Sequence, residues 1–294
     1  MAGSTPPSRL LRGLAMGAAV AGVLGLAGLL AVGEVLSHPS RETIGPPPGD
    51  LQAQAVRIGY SQGESVAGWF TPGRPGGGVV LLLHGVRSSR LQMVPRARFL
   101  HAAGYGVLLI DLPAHGESSG ARITFGARES AGVTAALAWL RAQAPGERVG
   151  VIGVSLGAAS LVLARPQPEP DAVALESMFP TIEEAVGDRI ASRLGPSSRR
   201  LVPLLLWQLP MRTGVQPAQL RPIEALPELH VPLLIAAGTL DRSTTWPETE
   251  RLYAAAGAPK QLWPVAGAGH VDLCDYAPAE YQSRLLAFLG QHLR

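Results

Sequence analysis

Residues 149–164 read Val-Gly-Val-Ile-Gly-Val-Ser-Leu-Gly-Ala-Ala-Ser-Leu-Val-Leu-Ala, an apolar run that passes through a turn into a run of small residues. The first six residues predict a strand buried on both faces of a sheet. The residues after Gly157 predict a helix, and Ser155 lies at the apex of the turn between them. Small residues suit such a turn because strand and helix approach closely, and the turn exposes the serine hydroxyl at the carboxyl edge of the sheet. Ser155 is therefore the predicted nucleophile.

A second match to the same Gly-x-Ser-x-Gly pattern, Gly116-Glu-Ser118-Ser-Gly120, provides the alternative nucleophile. Ser118 lies several residues beyond its predicted strand, residues 107–111, and no small-residue helix follows it. A nucleophile elbow requires the strand to run directly into the turn. This context favours Ser155 over Ser118. The remaining interpretation is that the two glycines flanking Ser155 serve only a tight turn.

Strand and helix patterns alternate along the rest of the chain. The predicted strands are residues 54–60, 66–71, 79–83, 107–111, 149–154, 172–176, 233–237 and 261–265, and helical patterns cover residues 92–103, 127–144 and 281–293. Strands that alternate with helices imply right-handed crossovers. The sequence therefore predicts an α/β fold, with a mostly parallel central sheet and helices on both faces, over residues 51–294.

Asp241 and His270 follow Ser155 in the chain, and each lies at or just past the carboxyl end of a predicted strand, where open α/β sheets place their sites. A histidine within hydrogen-bond reach can take the serine proton, while a carboxylate fixes the histidine tautomer and stabilises the imidazolium. The order serine, acid, histidine predicts a catalytic triad. Glu176 is the alternative acid. Alternatively, Asp241 caps a helix, and His270 is a histidine in a surface loop without a catalytic role.

Two backbone amides are predicted to stabilise the charge that develops on the substrate carbonyl oxygen. The residue after the nucleophile, Leu156, supplies one of them. The other is expected from the loop after the third predicted strand, His-Gly-Val-Arg at residues 84–87, and we assign it to Val86. His84, Asp111 and His115 are expected to brace loops through hydrogen bonds.

These motifs resemble those of the α/β-hydrolase superfamily and, more narrowly, of its membrane-anchored, Bem46-like and serine-aminopeptidase-like branch. The resemblance covers residues 55–293. It rests on His84-Gly85, the stretch from Asp111 to Ser118, the stretch from Gly153 to Gly157, Asp241 and His270. It implies an ester, thioester or peptide hydrolase that needs no metal or other cofactor. The chain departs from the family pattern after Asp241, where five residues precede Pro247 in place of an early proline-containing helix start.

Residues 13–33 carry no charged side chain. A helix of this length spans about 30 Å, the thickness of the hydrocarbon core of a bilayer. Arg9 and Arg12 precede the segment and Glu34 follows it. The positive-inside rule then places residues 1–12 in the cytoplasm and the catalytic domain outside, on a single-pass anchor in the cell membrane.

The alternative to an anchor is a secretory signal cleaved near Ala31-Val-Gly33, in which case the domain is secreted. The uncharged segment exceeds the apolar core of a signal peptide, about 7–15 residues, so a retained anchor is favoured. Residues 34–50 end in Pro-Pro-Pro-Gly-Asp and are predicted to form a short, stiff linker.

Residues 180–229 interrupt the alternation of strands and helices. They contain the apolar stretch from Leu201 to Trp207, followed by Leu-Pro-Met. This pattern predicts a helical cap inserted into the domain. The cap can act as an apolar lid that shapes an acyl pocket, or its helices can pack on the edge of the sheet, and both interpretations stay open.

Composition excludes several classes of protein. Hydrophobic residues make up 47% of the 294 residues, which excludes disorder for most of the chain. The net charge is +3 and the arginines are scattered, so no basic face for nucleic acid is expected. Cys274 is the single cysteine, so no intramolecular disulfide can form. The histidine spacings of common metal sites are absent from the sequence, so no metal is expected.

The function that the sequence favours is a membrane-anchored serine hydrolase that cleaves carboxylic esters, or thioesters and amides, through an acyl-enzyme intermediate. The expected substrate is a small ester or acyl compound. One alternative is a catalytically silent α/β-hydrolase fold that serves as a binding module. Another is an acyltransferase that uses the same triad but passes the acyl group to an acceptor other than water.

Overall fold

The computed structural model describes residues 9–294, and an eight-stranded sheet forms its centre. The strands are β1 (Gln54–Ser61), β2 (Glu64–Thr71), β3 (Val79–Leu83), β4 (Gly106–Ile110), β5 (Val149–Val154), β6 (Ala172–Glu176), β7 (Leu233–Gly238) and β8 (Lys260–Val265). Each corresponds to a strand predicted from the sequence, with bounds that differ by two residues at most.

The strands are arranged in the order β1-β2-β4-β3-β5-β6-β7-β8. β2 is antiparallel to β1 and β4, and all other neighbouring strands are parallel. Because β5 lies between β3 and β6, the turn after β5 and the loop after β3 leave the same edge of the sheet side by side. The predicted mostly parallel sheet is confirmed.

Helices cover both faces of the sheet, as predicted. They are α1 (Arg9–Ser37), α2 (Val94–Ala102), α3 (Glu129–Gln143), α4 (Leu156–Ala164), α5 (Ile182–Leu194), α6 (Val202–Trp207), α7 (Leu209–Thr213), α8 (Pro222–Ala225), α9 (Trp246–Ala255), α10 (Leu273–Tyr276) and α11 (Pro278–Leu293). Successive residues of a strand point to opposite faces. In β3, Leu81 packs in the cluster that includes α3 and α4, and Leu82 packs in the cluster that includes α2 and α11.

The predicted helix over residues 92–103 is divided in two. A 3-10 turn, Arg90–Met93, precedes α2. Pro95 lies in the first turn of α2, where its missing N–H leaves no hydrogen bond unmade and its fixed φ suits a helix start. The proline therefore marks the point at which the α-helix begins.

Every regular element between β6 and β7 is helical. Residues 180–229 contain α5 to α8 and three short 3-10 turns. Apolar side chains of this segment, among them Leu206, Leu209 and Leu220, form a small buried cluster separate from the two that cover the sheet. We refer to this helical segment, residues 180–229, as the cap.

Helix α1 contains the span Met16–Ser37, which is long and apolar enough to cross a membrane, with a mean hydropathy of 2.1. The last turns of α1 dock on α6 and α7 of the cap. The Gln208 side-chain amide donates to the carbonyl oxygen of Leu29 at 2.9 Å, and the Arg212 guanidinium donates to that of Leu30 at 2.6 Å. Arg212 also pairs with Glu34 at 2.5 Å. The structure thus fixes the orientation of α1 against the cap.

Residues 34–50, predicted as a linker, make specific contacts with the domain. Residues 34–37 are the last turn of α1, and the backbone of Ser40 and Arg41 pairs with residues 115–116. The Glu117 carboxylate accepts hydrogen bonds from the amides of Ile44 and Gly45. These contacts shorten the stretch of chain that is free to act as a tether.

The close packing of α1 on the cap predicts that Gly33→Leu weakens the docking. A Cβ at Gly33 would lie 2.1 Å from Gln208 Oε1. The Gln208 side chain would therefore have to move, and its hydrogen bond to the carbonyl oxygen of Leu29 would break. The loss of one such hydrogen bond destabilises by about 1 kcal/mol, which lowers the melting temperature by about 2–4 °C. Thermal unfolding of the full chain in detergent measures this shift.

Gly28→Leu is the matched control, since no heavy atom lies within 4 Å of a Cβ built at Gly28. Both variants replace a helical glycine with leucine and share the resulting gain in helix propensity, so Gly33→Leu is expected to melt about 2–4 °C below Gly28→Leu. Equal melting temperatures for the two variants would contradict the docking of α1.

Candidate active site

The backbone of Ser155 has the strained conformation of a nucleophile elbow. Its φ is +49° and its ψ is −105°, a region that non-glycine residues rarely adopt, and α4 begins at the next residue. The Ser155 amide donates to the carbonyl oxygen of Glu176 at 2.7 Å, which ties the turn to β6. The side chain is 8% exposed. The turn therefore holds the hydroxyl above the carboxyl edge of the sheet.

Gly153 and Gly157 allow β5, α4 and the neighbouring β3 to approach one another. A Cβ at Gly153 would lie 2.7 Å from the amide nitrogen of Ala158. One at Gly157 would lie 2.5 Å from the carbonyl oxygen of Leu83. Both contacts are with backbone atoms, which cannot rotate away as a side chain can. The two positions therefore require glycine.

Asp241 and His270 are in contact. Asp241 lies in the turn after β7 and His270 in the loop after β8, at the same sheet edge as Ser155. The Nδ1 atom of His270 lies 2.7 Å from Asp241 Oδ2. The Asp241 side chain is fully buried, whereas that of His270 is 26% exposed. Nδ1 is therefore the ring nitrogen that contacts the carboxylate, and Nε2 does not contact it.

The Asp241 carboxylate is held in its ionised form. Burial alone raises its pKa, but hydrogen bonds from His270 and from the amides of Thr244 and Ser243 outweigh that effect, and the pKa is lowered. The Thr244 hydroxyl donates to Oδ2 at 2.8 Å. The residues that replace an early proline after Asp241 thus supply donors to its carboxylate.

Ser155 and His270 line the same two adjoining cavities, of about 290 Å³ and 280 Å³. Among residues 9–294, the Ser155 hydroxyl has no hydrogen-bond partner, so it is not tied to another protein group. The larger cavity has mainly apolar walls, formed in part by Phe179, Ile182 and Val186. The smaller one lies over the loop after β3 and contains more polar groups.

The two predicted oxyanion donors lie next to Ser155. Neither the Val86 amide nor the Leu156 amide donates to any residue in the described part of the chain. The amide of Leu156 is the first of α4, so it belongs to the unpaired donors at a helix N-terminus. Val86 lines both cavities with Ser155. The loop that carries it is held by Gln92, whose Oε1 accepts from the Gly85 amide at 2.9 Å.

His84 fixes the start of this loop. The Leu112 amide donates to His84 Nε2 at 3.0 Å, so the proton of the neutral ring is on Nδ1, which donates to the carbonyl oxygen of Gly85 at 2.7 Å. Burial, assisted by the nearby His115, lowers the pKa of His84 to about 3. His84 therefore stays neutral and acts as a brace.

Ser118 lies away from Ser155 and its cavities. It is fully buried, its hydroxyl donates to the carbonyl oxygen of Asp111 at 2.6 Å, and it accepts from the amide of Ala67 at 2.8 Å. The Asp111 carboxylate pairs with Arg90 and accepts from the amide of Glu117 at 2.9 Å. Ser118 and Asp111 thus brace the loop after β4.

Glu176, the alternative acid, faces a different partner. Its carboxylate pairs with the buried Arg96 at 2.7 Å and accepts from the Tyr281 hydroxyl. Arg96 also donates to Asp272, two residues after His270, and Asp272 accepts from Gln92 at 3.0 Å. A network of buried polar groups therefore connects β6, the histidine loop and the loop of Val86.

The sequence gives little sign of this network. Arg96 lies in a helix pattern, and a buried arginine cannot be distinguished there from a surface one. Its partners lie 80 and 176 residues away in the chain. The only local signal is Asp272, whose Oδ1 caps α10 by accepting from the Cys274 amide.

The side chains of Asp272, Cys274 and Asp275 lie close enough to suggest metal ligands. Asp272 is already engaged by Arg96, Gln92 and the helix cap. Burial raises the pKa of Cys274 to about 11, so its thiol stays protonated and is a poor ligand. The group is therefore a helix cap beside a buried thiol.

The model of the Alpha/beta hydrolase family matches residues 80–281, which include Ser155, Asp241 and His270. The chain belongs to this family. Its sheet order and its turn at Ser155 agree with that assignment. The narrower Bem46-like branch stays a prediction from the motifs.

Relatives of this alpha/beta hydrolase occur in bacteria. The protein Rv2307c of Mycobacterium tuberculosis is 31% identical over 224 residues, which cover 74% of this chain and 72% of Rv2307c. The protein YqkD of Bacillus subtilis is 23% identical over 217 residues, which cover 72% of this chain and 71% of YqkD. The similarity therefore extends over most of each protein.

Among solved structures, the chain is similar to the esterase Pf2001 of Pyrococcus furiosus, with a TM-score of 0.74 and 25% identity. The match covers 88% of this chain and 99% of that one. An esterase of Exiguobacterium antarcticum has a TM-score of 0.61 at 14% identity, over 81% of this chain and 100% of that one, and shares the fold.

The close approach at Gly157 predicts that Gly157→Ala destabilises the domain strongly. The added methyl group would overlap backbone atoms of β3, which must shift, and overpacking of this kind costs about 1–3 kcal/mol or more. Thermal unfolding measures the effect. Gly85→Ala is the control, since its nearest neighbour would be 3.6 Å away. Equal stability of the two variants would contradict the packing described here.

The neutral His84 predicts a specific dependence of stability on pH. Its folded pKa of about 3 lies below its unfolded value, so the unfolded chain binds an extra proton as the pH falls from about 6.5 toward 3. Its contribution to the free energy of unfolding is therefore complete above pH 6.5 and is lost below it. His84→Gln should reduce the slope of the unfolding free energy against pH, between about pH 3 and 6.5, by up to about 1.4 kcal/mol per pH unit.

Urea unfolding of the full chain in detergent at pH 4–7 measures that slope. The exposed residue His230 provides the control variant His230→Gln, which makes the same substitution outside the buried loop. Equal slopes for wild type and His84→Gln would contradict a buried neutral His84.

Proposed function

We propose that the protein is a membrane-anchored serine hydrolase that cleaves carboxylic esters through Ser155, His270 and Asp241. The observation that carries the proposal is the 2.7 Å contact between His270 Nδ1 and Asp241 Oδ2, together with the position of His270 on the same cavity as Ser155, whose φ is +49°. Family membership and similarity to an esterase of Pyrococcus furiosus support the reaction class.

Proton transfer in the proposed reaction passes through His270. Because Asp241 accepts from Nδ1, the neutral ring carries its free lone pair on Nε2. Nε2 takes the proton of Ser155 as Oγ attacks the ester carbonyl carbon, and the buried carboxylate stabilises the resulting imidazolium. The imidazolium then protonates the leaving alcohol. Water repeats the sequence on the acyl-enzyme and releases a carboxylic acid.

The proposed oxyanion hole consists of the amides of Leu156 and Val86. Both amides are free of acceptors within residues 9–294, so neither must break a protein hydrogen bond when the carbonyl oxygen becomes negative. Preorganised donors of this kind stabilise the transition state more than the ground state. The bond from the Gly85 amide to Gln92 supports this geometry because it fixes the residue before Val86.

Retention of α1 as an anchor is supported by its docking. Cleavage after Gly33 would remove the carbonyl groups of Leu29 and Leu30, to which Gln208 and Arg212 donate. An anchor that packs on the catalytic domain has a structural role that a removed signal lacks. With arginines before the span and Glu34 after it, the proposed orientation places the catalytic domain outside the cytoplasm.

Labelling with a fluorophosphonate probe tests the proposed nucleophile. The wild-type full chain in detergent should be labelled, and Ser155→Ala should lose the label and at least about 10³-fold of its ester hydrolysis rate. Ser118→Ala is the control. Ser118 is not exposed to the cavity, so this variant should keep the label whenever it is folded.

Loss of label in folded Ser118→Ala, with label retained in Ser155→Ala, would contradict the assignment of Ser155 as the nucleophile. An unlabelled, folded wild type would favour the silent binding module. Transfer of the acyl group to added alcohol in preference to water would favour the acyltransferase.

A further inference from the structure

Three arginine side chains line the larger cavity together with Ser155 and His270. Arg87 lies in the loop after β3, while Arg189 and Arg193 lie one turn apart on α5. Arg189 is half-buried, and Arg87 and Arg193 are exposed at the rim. Arg87 and Arg189 also line the smaller, polar cavity. Positive charge is therefore concentrated around the nucleophile.

None of these three guanidinium groups forms an ion pair or hydrogen bond with another side chain in the described part of the protein. Within the cap, Arg199, Arg212 and Arg221 each pair with a carboxylate. Arg200 has no such partner among the described residues, but it is exposed and does not line the cavity. The nearby Asp241 carboxylate is already occupied by His270, Ser243 and Thr244. Asp241 raises the pKa of Arg189, but burial and Arg193 outweigh it, so the positive charge of the cavity is only partly offset.

The three charges repel one another. Burial, together with Arg193 and Arg87, lowers the pKa of Arg189. Like charges at positions i and i+4 of a helix are destabilising, and Arg189 and Arg193 have this spacing. An anion bound between them would remove this repulsion and would form charge-assisted hydrogen bonds.

The rest of the cavity is apolar and reaches the N-terminal helix. Ile182, Val186 and Ile190 present one face of α5 to it. Val32 and Leu36 of α1 form part of the opposite wall. An apolar chain can therefore lie between α5 and the end of the membrane span while the arginines surround a polar group near Ser155.

The outer surface of the cap beside α1 is also apolar. Leu204, Trp207 and Met211 are each more than half exposed, and they lie on α6 and α7, the helices that contact α1. With α1 in a bilayer, these side chains lie at the membrane surface, where aromatic and aliphatic groups are favoured. The cavity is thus next to the source of lipid molecules.

We infer that the hydrolase acts on acyl esters of phosphate-bearing lipids, with the acyl chain in the apolar part of the cavity and the phosphate bound by Arg87, Arg189 and Arg193. This inference rests on the proposed function. Several guanidinium groups favour a phosphate because it offers multiple oxygens and up to two negative charges. Hydrolysis adds water across the acyl C–O bond and gives a fatty acid and a phosphate-bearing alcohol.

A pair of matched lipids tests the inference. 1-Oleoyl lysophosphatidic acid and 1-monooleoylglycerol have the same acyl ester and differ in the phosphate. In mixed detergent micelles, the full chain should hydrolyse the phosphate lipid with at least about tenfold higher kcat/KM, since a hydrogen bond to a charged group contributes about this much. Equal values for the two lipids would overturn the inference.

The double variant Arg189→Gln/Arg193→Gln should lose at least about tenfold in kcat/KM for the phosphate lipid and much less for monooleoylglycerol. Arg200→Gln is the control, because Arg200 is exposed on the cap and does not line the cavity. An equal loss for both lipids in the double variant, or an equal loss in Arg200→Gln, would contradict a phosphate site.

Oleoyl-CoA distinguishes a membrane lipid from a soluble phosphate-bearing acyl carrier. Preference for oleoyl-CoA over the phosphate lipid would overturn the assignment to lipids. Fluorophosphonate labelling of Ser155 distinguishes failure of the phosphate-lipid inference from failure of the proposed function. A labelled enzyme without phosphate preference contradicts this inference alone, whereas an unlabelled one contradicts the proposed function as well.

Discussion

The close approach of α4 to β5 and β3 is the constraint on which the candidate site depends. Two glycines permit it, at distances where a single methyl group would overlap backbone. The same approach forces Ser155 into a left-handed conformation, which costs about 1–3 kcal/mol and must be stabilised by surrounding packing. The nearly complete burial of β3, β5 and β6 supplies that packing. The rigidity of the sheet centre thus holds the serine hydroxyl and the first amide of α4 in a fixed relation.

A second constraint is the buried polar network around Arg96. Arg96 pairs with Glu176 below the elbow and with Asp272 beside the histidine loop. Asp272 in turn contacts Gln92, which fixes the loop of Val86. Removal of one partner from a buried ion pair is strongly destabilising, because an uncompensated charge remains. The network therefore couples the positions of the His270 loop and the Val86 loop to the integrity of the core.

The sequence was sufficient to predict the strands and the positions of Ser155, Asp241 and His270 just after strand ends, because both depend on short-range patterns. Apolar runs such as 79–83 and 149–154 have the same bounds in the structure. The partners of Arg96, the docking of α1 on Arg212 and the clustering of Arg87 with Arg189 depend on contacts between distant segments, which no local pattern encodes. Glu176 illustrates the difference, since its place after a strand is visible in the sequence but its engagement by Arg96 is not.

The docked end of α1 has a consequence for kinetics. A domain on a flexible tether samples the solution around its anchor. In the proposed membrane-anchored state, the contacts of Gln208, Arg212 and Glu34 would instead hold the domain at a fixed tilt and height above the bilayer. With α1 inserted, encounters with lipids become two-dimensional diffusion within one leaflet. The velocity of such an enzyme depends on the mole fraction of substrate in the membrane surface rather than on the bulk concentration of substrate. Dilution of the leaflet with inert lipid lowers that mole fraction and therefore lowers the velocity.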